Sequence, residues 1–267
     1  MGCRQSNTLK CLVKTPLKHL KDVSGNSEIF VTKDRTLWKV VVDEVGAIDC
    51  VVRRNSAIAK LPPSPYILPP RRVCRLTDTK VAISMQQSDM DLFSWLALPF
   101  DEQELVDGLN AVANGIRWLH AQGIAHHDVK VENVVVGPTF RLIDFDFACP
   151  LAESNNCGTP KYLPVAEFLE NWPCSTQSSS RRLDVYAFGK LVLHALSSVS
   201  FHNYIPIKFF PILNEFFDSG CCEVLTPPDI GPLWTPWLKA AVRCCQSFPP
   251  EKIDCPPGNE LVSTSDI

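Results

Sequence analysis

The sequence predicts a two-lobed α+β fold: a small β-sheet lobe followed by a mainly helical one. Three observations predict it. Short strand-like runs such as SEIFVTKD and TLWKVVV fill the first third of the chain. Residues 101–120 carry a capped amphipathic helical pattern, and DVYAFGKLVLHALSS, residues 184–198, is apolar nearly all round, as a buried helix must be. A chain of 267 residues is long enough for two lobes that share a cleft. The expected organisation is a basic arm over 1–21, a reduced sheet lobe and connecting hinge over 22–89, a helical lobe over 90–255 and a tail over 256–267.

The elements follow in order. SEIFVTKD and TLWKVVV read as strands joined by the turn-like KDR. Residues 45–61 have helical character, ended by the proline cluster LPPSPYILPP. RVCRLTD and KVAISMQ resemble a second hairpin, which makes a small sheet with one helix. Asp101 and Glu104 then form a capping box, with Leu105, Leu109, Val112, Ile116 and Leu119 at helical spacing. Gly123 stands just past that helix, where a left-handed residue is wanted. VVVGPTFRLID reads as a hairpin turning at Gly137-Pro138, STQSSSRR as a polar loop, and PLWTPWLKAAVRCCQSF as a last helix.

With 45% apolar and 21% charged residues the chain is expected to be globular. No apolar run approaches the about 18 residues of a membrane-spanning helix, and MGCRQSNTLK lacks the apolar core of a secretory signal. The 12 cysteines are scattered without C-x-x-C, which reads as reduced thiols of an intracellular protein rather than a disulfide framework or a zinc site. Net charge is −3, but residues 1–21 carry +5, leaving −8 on the rest. A basic arm on an acidic body suggests an anionic partner surface. MGCRQS fits the myristoylation pattern with Gly2 as acceptor, and the adjacent Cys3 suits a palmitoyl chain. Two acyl chains, or one chain and a basic patch, anchor stably where one chain alone does not. The expected location is therefore the cytoplasmic face of a membrane, or the cytoplasm if Gly2 and Cys3 are not acylated. A monomer with no nucleic-acid partner is expected.

IAHHDVKVENVVVGPTFRLIDFDF carries the chemistry. It supplies a carboxylate at Asp128, a lysine at Lys130, an amide at Asn133 and a second carboxylate at Asp144, the groups that phosphoryl transfer asks for. HHDVKVEN and DFD resemble the H-R-D-L-K-x-x-N and D-F-G motifs of protein kinases. The resemblance extends over roughly residues 22–255 and implies the two-lobed kinase fold with ATP and Mg²⁺. It implies Asp128 and Lys130 as catalytic, Asn133 and Asp144 as metal-binding, and Lys39 of TLWKVV on the phosphates. Gly25 would mark the glycine loop, and Met85, Gln86, Gln87 and Ser88 the hinge that meets the adenine. Thr159 would lie in the substrate-positioning loop. Asp184 would accept backbone N–H groups of the catalytic loop. Lys130 is the serine/threonine form of that loop.

Four departures stand out. VSGNSEIF keeps only Gly25 in the phosphate loop. The helix position that would pair Lys39 falls on Asn55, a neutral amide, which leaves Glu44 or Asp49 as substitutes if the helix is displaced. His127 replaces an arginine that would bind an activation-loop phosphate. Asp146 replaces the glycine of D-F-G, removing backbone freedom and adding negative charge that would draw a cation. Because the chemical residues all survive, an active protein serine/threonine kinase of unknown protein substrate is expected. The alternatives are a pseudokinase scaffold and a small-molecule phosphotransferase, whose metal motif can read I-D-F-D. Finally, Glu167 stands one residue beyond the position of a glutamate that in protein kinases pairs with a distal arginine. Either an ion pair from Glu167 to Lys252 or Arg243 is expected in its place, or a solvated Glu167 with the segment anchored by apolar packing of Leu163 and Phe168.

Overall fold

In the computed structural model the described residues are 17–23, 27–43, 47–153, 158–164, 177–202, 229–245 and 253. Five antiparallel strands form the first lobe: β1 (Leu17–Val23), β2 (Ser27–Thr32), β3 (Thr36–Val42), β4 (Arg72–Thr77) and β5 (Lys80–Gln86), in the order β1-β2-β3-β5-β4. The sheet has one strand more than the sequence reading, because β1 begins at Leu17, inside the stretch read as a basic arm. β1 pairs antiparallel with β2, with Val23 opposite Ser27.

Strand alternation decides what each face of β3 does. Trp38 and Val40 point to one face, where they pack with Phe30 and Ala82. Val41 points to the other, where Val81 and Ile83 meet Ile48 and Val51 of helix α1 (Ile48–Ile58). Lys39, in register with Ile83, shares that second face, so it is directed toward the helix and the cleft beneath. The proline-rich stretch after α1 runs to the second lobe, where Leu142 donates its N–H to Tyr66 O and accepts from Leu68.

The second lobe opens with β6 (Met90–Asp91), α2 (Leu92–Leu96) and α3 (Glu102–Ala121). Asp101 caps α3 by accepting the Glu104 N–H at 2.9 Å. Leu105, Leu109, Val112, Ile116 and Leu119 all reach 0% exposure, each burial stabilising by about 1.5–3 kcal/mol. Gly123 ends the helix region at φ +77°. β7 (Ile124–Ala125), β8 (Val134–Val136), β9 (Arg141–Leu142) and β10 (Cys149–Pro150) then frame two loops. β7 pairs with β10, and β8 lies between β6 and β9.

Helix α4 (Gln177–Phe201) runs through the core and packs on α5 (Trp234–Cys244). It starts earlier than sequence suggested: part of the polar STQSSSRR stretch is helical, with Ser180 buried and donating to Glu153 O. Tertiary packing overrides the polar composition there. Among the described residues no helix is long and apolar enough to cross a membrane. Of the described cysteines, Cys149, Cys244 and Cys245 are buried.

Candidate active site

The loop between β7 and β8 is built around Asp184, which is fully buried on α4. Its carboxylate accepts the backbone N–H of His126 at 2.8 Å and of His127 at 2.7 Å, and lies 2.8 Å from His120 Nε2. Burial opposes the Asp184 charge, but the His120 bond and charge outweigh it and hold the group down to about 2. His127 adopts φ +64°, an uncommon left-handed conformation for a residue with a side chain. That turn throws the chain back on itself just before Asp128. His126 completes the support, bonding Ile143 O through Nε2 and accepting the Asp128 N–H at Nδ1.

Asp128 is 4% exposed and bound on every side. Oδ1 accepts from Thr159 N at 3.0 Å and Thr159 Oγ1 at 2.7 Å. Oδ2 accepts from Asn133 Nδ2 at 2.8 Å and meets Lys130 Nζ at 2.8 Å. Lys130 also donates to Thr159 Oγ1 at 2.7 Å, so the lysine, threonine and aspartate close a ring. Gly158 makes this possible: it sits at φ +146°, and an added Cβ would lie 2.5 Å from His127 O. Gly158→Ala is therefore expected to push Thr159 away from Asp128. Turnover should fall about 10-fold or more while nucleotide affinity holds, as steady-state kinetics beside a nucleotide titration would show.

The second constellation joins the lobes. Lys39 Nζ donates to Asp144 Oδ1 at 2.8 Å, Asp144 Oδ2 at 2.7 Å and Asp146 Oδ2 at 2.8 Å. Burial works against the lysine's charge, but the two carboxylates reverse that and raise its pKa. For Asp144 burial is likewise outweighed, by Lys39, and its pKa is lowered. Asp146 moves the other way, raised by burial and by the neighbouring Asp144 charge, because one lysine serves two acids. Asp144 stands at φ +65°, a conformation aspartate tolerates better than most residues, with Phe145 buried behind it.

Two sequence expectations need correction here. Asp49 bonds Arg75 on the surface rather than Lys39, and Glu44 lies outside the described residues. The lysine's second partner is Asp146 instead. Asp146 is also absent from the positive-φ residues, so the loss of glycine costs no backbone strain. His127, at the position where the resembled motif carries a phosphate-binding arginine, is buried with Nε2 3.6 Å from Cys149 Sγ. The sequence reading missed His126 as a support of Asp128, and it missed that the changes at residues 55 and 146 meet in space. The signal for the second was available as a carboxylate lost at one position and gained at the other.

Of the hinge residues, Met85 and Gln86 end β5, Gln87 donates its N–H to Arg35 O at 2.9 Å, and Ser88 Oγ lies 3.4 Å from Val136 O. Gly2, Cys3, Gly25, Glu167 and Lys252 lie outside the described residues, and with them the expected Glu167 ion pair. The oxygen donors suit a hard cation. Asn133 spends its amide hydrogens on Asp128 O and Oδ2, which leaves its amide oxygen to act with the Asp144 carboxylate. Mg²⁺ favours such sets of one or two protein oxygens completed by phosphate.

Comparison with known proteins points the same way. The Protein kinase domain family matches residues 27–205. The chain is 32% identical over 115 residues to a dual serine/threonine and tyrosine protein kinase of Tetraodon nigroviridis, covering 42% of this chain and 12% of that one. It is 29% identical over 119 residues to the human phosphorylase b kinase gamma catalytic chain, liver/testis isoform, covering 40% of this chain and 28% of that one. These matches span well under half the length of either relative. Among solved structures, a chain of the yeast RNA Pol II CTD kinase CTDK-1 complex superposes with a TM-score of 0.54 at 15% identity, over 68% of this chain and 62% of that one. That likeness concerns the fold. With a family match across more than half its length and the two-lobed fold in place, the chain belongs to the protein kinase domain family.

Proposed function

We propose that the chain is an ATP-dependent serine/threonine protein kinase, held at a membrane by an acylated N-terminus. The observation that carries catalysis is the Asp128 carboxylate, fixed by Thr159, Lys130 and Asn133. So fixed, it is placed to orient an acceptor hydroxyl and take its proton. Lys130 sets a positive charge beside that carboxylate, suited to a transferring phosphoryl group. Asn133 and Asp144 would hold Mg²⁺, which neutralises phosphate charge when bound. Lys39 would steady the α/β-phosphates. The serine/threonine assignment rests on Lys130 and its contact with Thr159.

Radiolabelled ATP, Mg²⁺ and a mixed protein substrate test this reading. Wild-type label on serine and threonine, absent from Asp128→Asn, supports it. Equal labelling by both proteins sinks it. A nucleotide-binding scaffold is the second reading, favoured by the capture of both Asp144 oxygens by Lys39. Nucleotide binding without transfer would select it.

The membrane part rests on Gly2, Cys3 and the +5 charge of residues 1–21. Gly2→Ala is expected to release the protein into the soluble fraction, and Cys3→Ser to weaken anchoring less. Fractionation that finds Gly2→Ala unmoved removes the lipid argument.

A further inference from the structure

We propose that Asp146 is the positioning carboxylate of Lys39, supplied from the loop side of the cleft, and that Asn55 clamps it there. The inference rests on the phosphotransfer reading above, but its binding readouts do not need turnover.

The two acids around Lys39 are held differently. Among the described residues, Lys39 is the one side chain bonded to the Asp144 carboxylate. Asp146 is engaged at three atoms: Oδ2 by Lys39, Oδ1 by Asn55 Nδ2 at 2.8 Å, and the carbonyl oxygen by Arg54 Nη1 at 2.9 Å. Asn55 is itself 2% exposed and fixed by a second bond to Val51 O at 3.1 Å. Side-chain exposure follows the same order, 28% for Asp144 and 14% for Asp146. Asp144 is thus the acid that can exchange its partner, and Asp146 the one that stays.

This division solves a charge problem. Lys39 has a side chain only 12% exposed, and a buried ammonium without an anion is strongly disfavoured. When Asp144 turns to a cation, Asp146 still neutralises the lysine and keeps it aimed into the cleft. The choice of asparagine at 55 follows from the same geometry. A carboxylate there would face Asp146 across a hydrogen-bond distance and place three acids around one lysine. An amide instead donates to Asp146 and ties α1 to the loop. Residues 55 and 146 form one device, so they should be exchangeable only together.

A swap cycle tests this, with wild type, Asp146→Gly, Asp146→Asn, Asn55→Glu and Asn55→Glu/Asp146→Gly. Removing the Asp146 side chain opens the space between residue 55 and Lys39, and glutamate, one methylene longer than asparagine, reaches into it. Each protein is titrated with a fluorescent ATP analogue plus Mg²⁺, melted, and assayed for kcat and KM. Each single variant is expected to lose about 10-fold or more in nucleotide affinity or kcat, with the double variant recovering most of it. Asp146→Asn preserves shape and controls for misfolding, so its loss at an unchanged Tm separates positioning from stability. Unchanged affinity and kcat in both Asp146 variants, or additive losses in the double variant, would overturn the inference. Wild type that binds but does not transfer phosphate refutes the kinase reading alone, since the affinity cycle still decides the role of Asp146.

Discussion

Asp128→Asn should lower phosphate transfer by about 10²–10⁴-fold while leaving Mg²⁺-ATP affinity nearly unchanged. Asp144→Ala should remove both. The two carboxylates are separated by task. Asp128 is closed in by Thr159, Lys130 and Asn133, and among the described residues it bonds neither Lys39 nor the other lobe. Its exchange for an amide keeps volume but removes the proposed proton acceptor. Asp144 sits with Lys39 at the junction of the lobes, so its loss strips the proposed metal ligand and one of the lysine's two anions together. Steady-state kinetics paired with equilibrium titration separate the outcomes. Transfer by Asp128→Asn at the wild-type rate would remove Asp128 from the chemistry, and strong Mg²⁺-dependent binding by Asp144→Ala would remove Asp144 from the metal.

Asp184→Ala should destabilise the protein by about 3–5 kcal/mol, the usual cost of stripping one partner from a buried charged network. The substitution leaves the N–H groups of His126 and His127 without their acceptor and His120 without its carboxylate. It also unseats the turn that aims Asp128, so activity should fall with stability. The same group sets an acid limit. Its folded pKa of about 2 lies below the ordinary 3.8, so the folded state favours the ionised form. The resulting stabilisation, about 2 kcal/mol, is complete above the ordinary carboxylate range. It is lost as pH falls through about 2. Denaturant melts at neutral and acid pH check both statements. A wild-type-like Asp184→Ala midpoint at neutral pH would refute the network's role.

Much of the fold was legible because its signals are local. The capped helix α3 announces itself through Asp101, Glu104 and the spacing from Leu105 to Leu119. The strand bearing Lys39 announces itself through β-branched and aromatic alternation. Two boundaries were not legible for opposite reasons. β1 lies in a stretch whose lysines look like a solvated arm, yet backbone pairing with β2 recruits it. The start of α4 is serine-rich, yet Ser180 there is buried and bonds Glu153 O.

Which chemical groups are present can be read along the chain: Asp128, Lys130, Asn133 and Asp144 at fixed spacing on one loop-hairpin unit, and Lys39 on a strand far upstream. Local periodicity and short-range spacing suffice for that. Which group partners which emerges from packing in three dimensions. Lys39 and Asp146 lie 107 positions apart, and Asn55 and Asp146 lie 91 apart. No local rule connects such positions. Taken singly along the chain, asparagine at 55 and aspartate at 146 read as two losses. Brought within 2.8 Å by the packing of α1 on the loop, they become one hydrogen-bonded pair. The reason is that a buried lysine selects for a nearby anion, whichever segment of the chain supplies it.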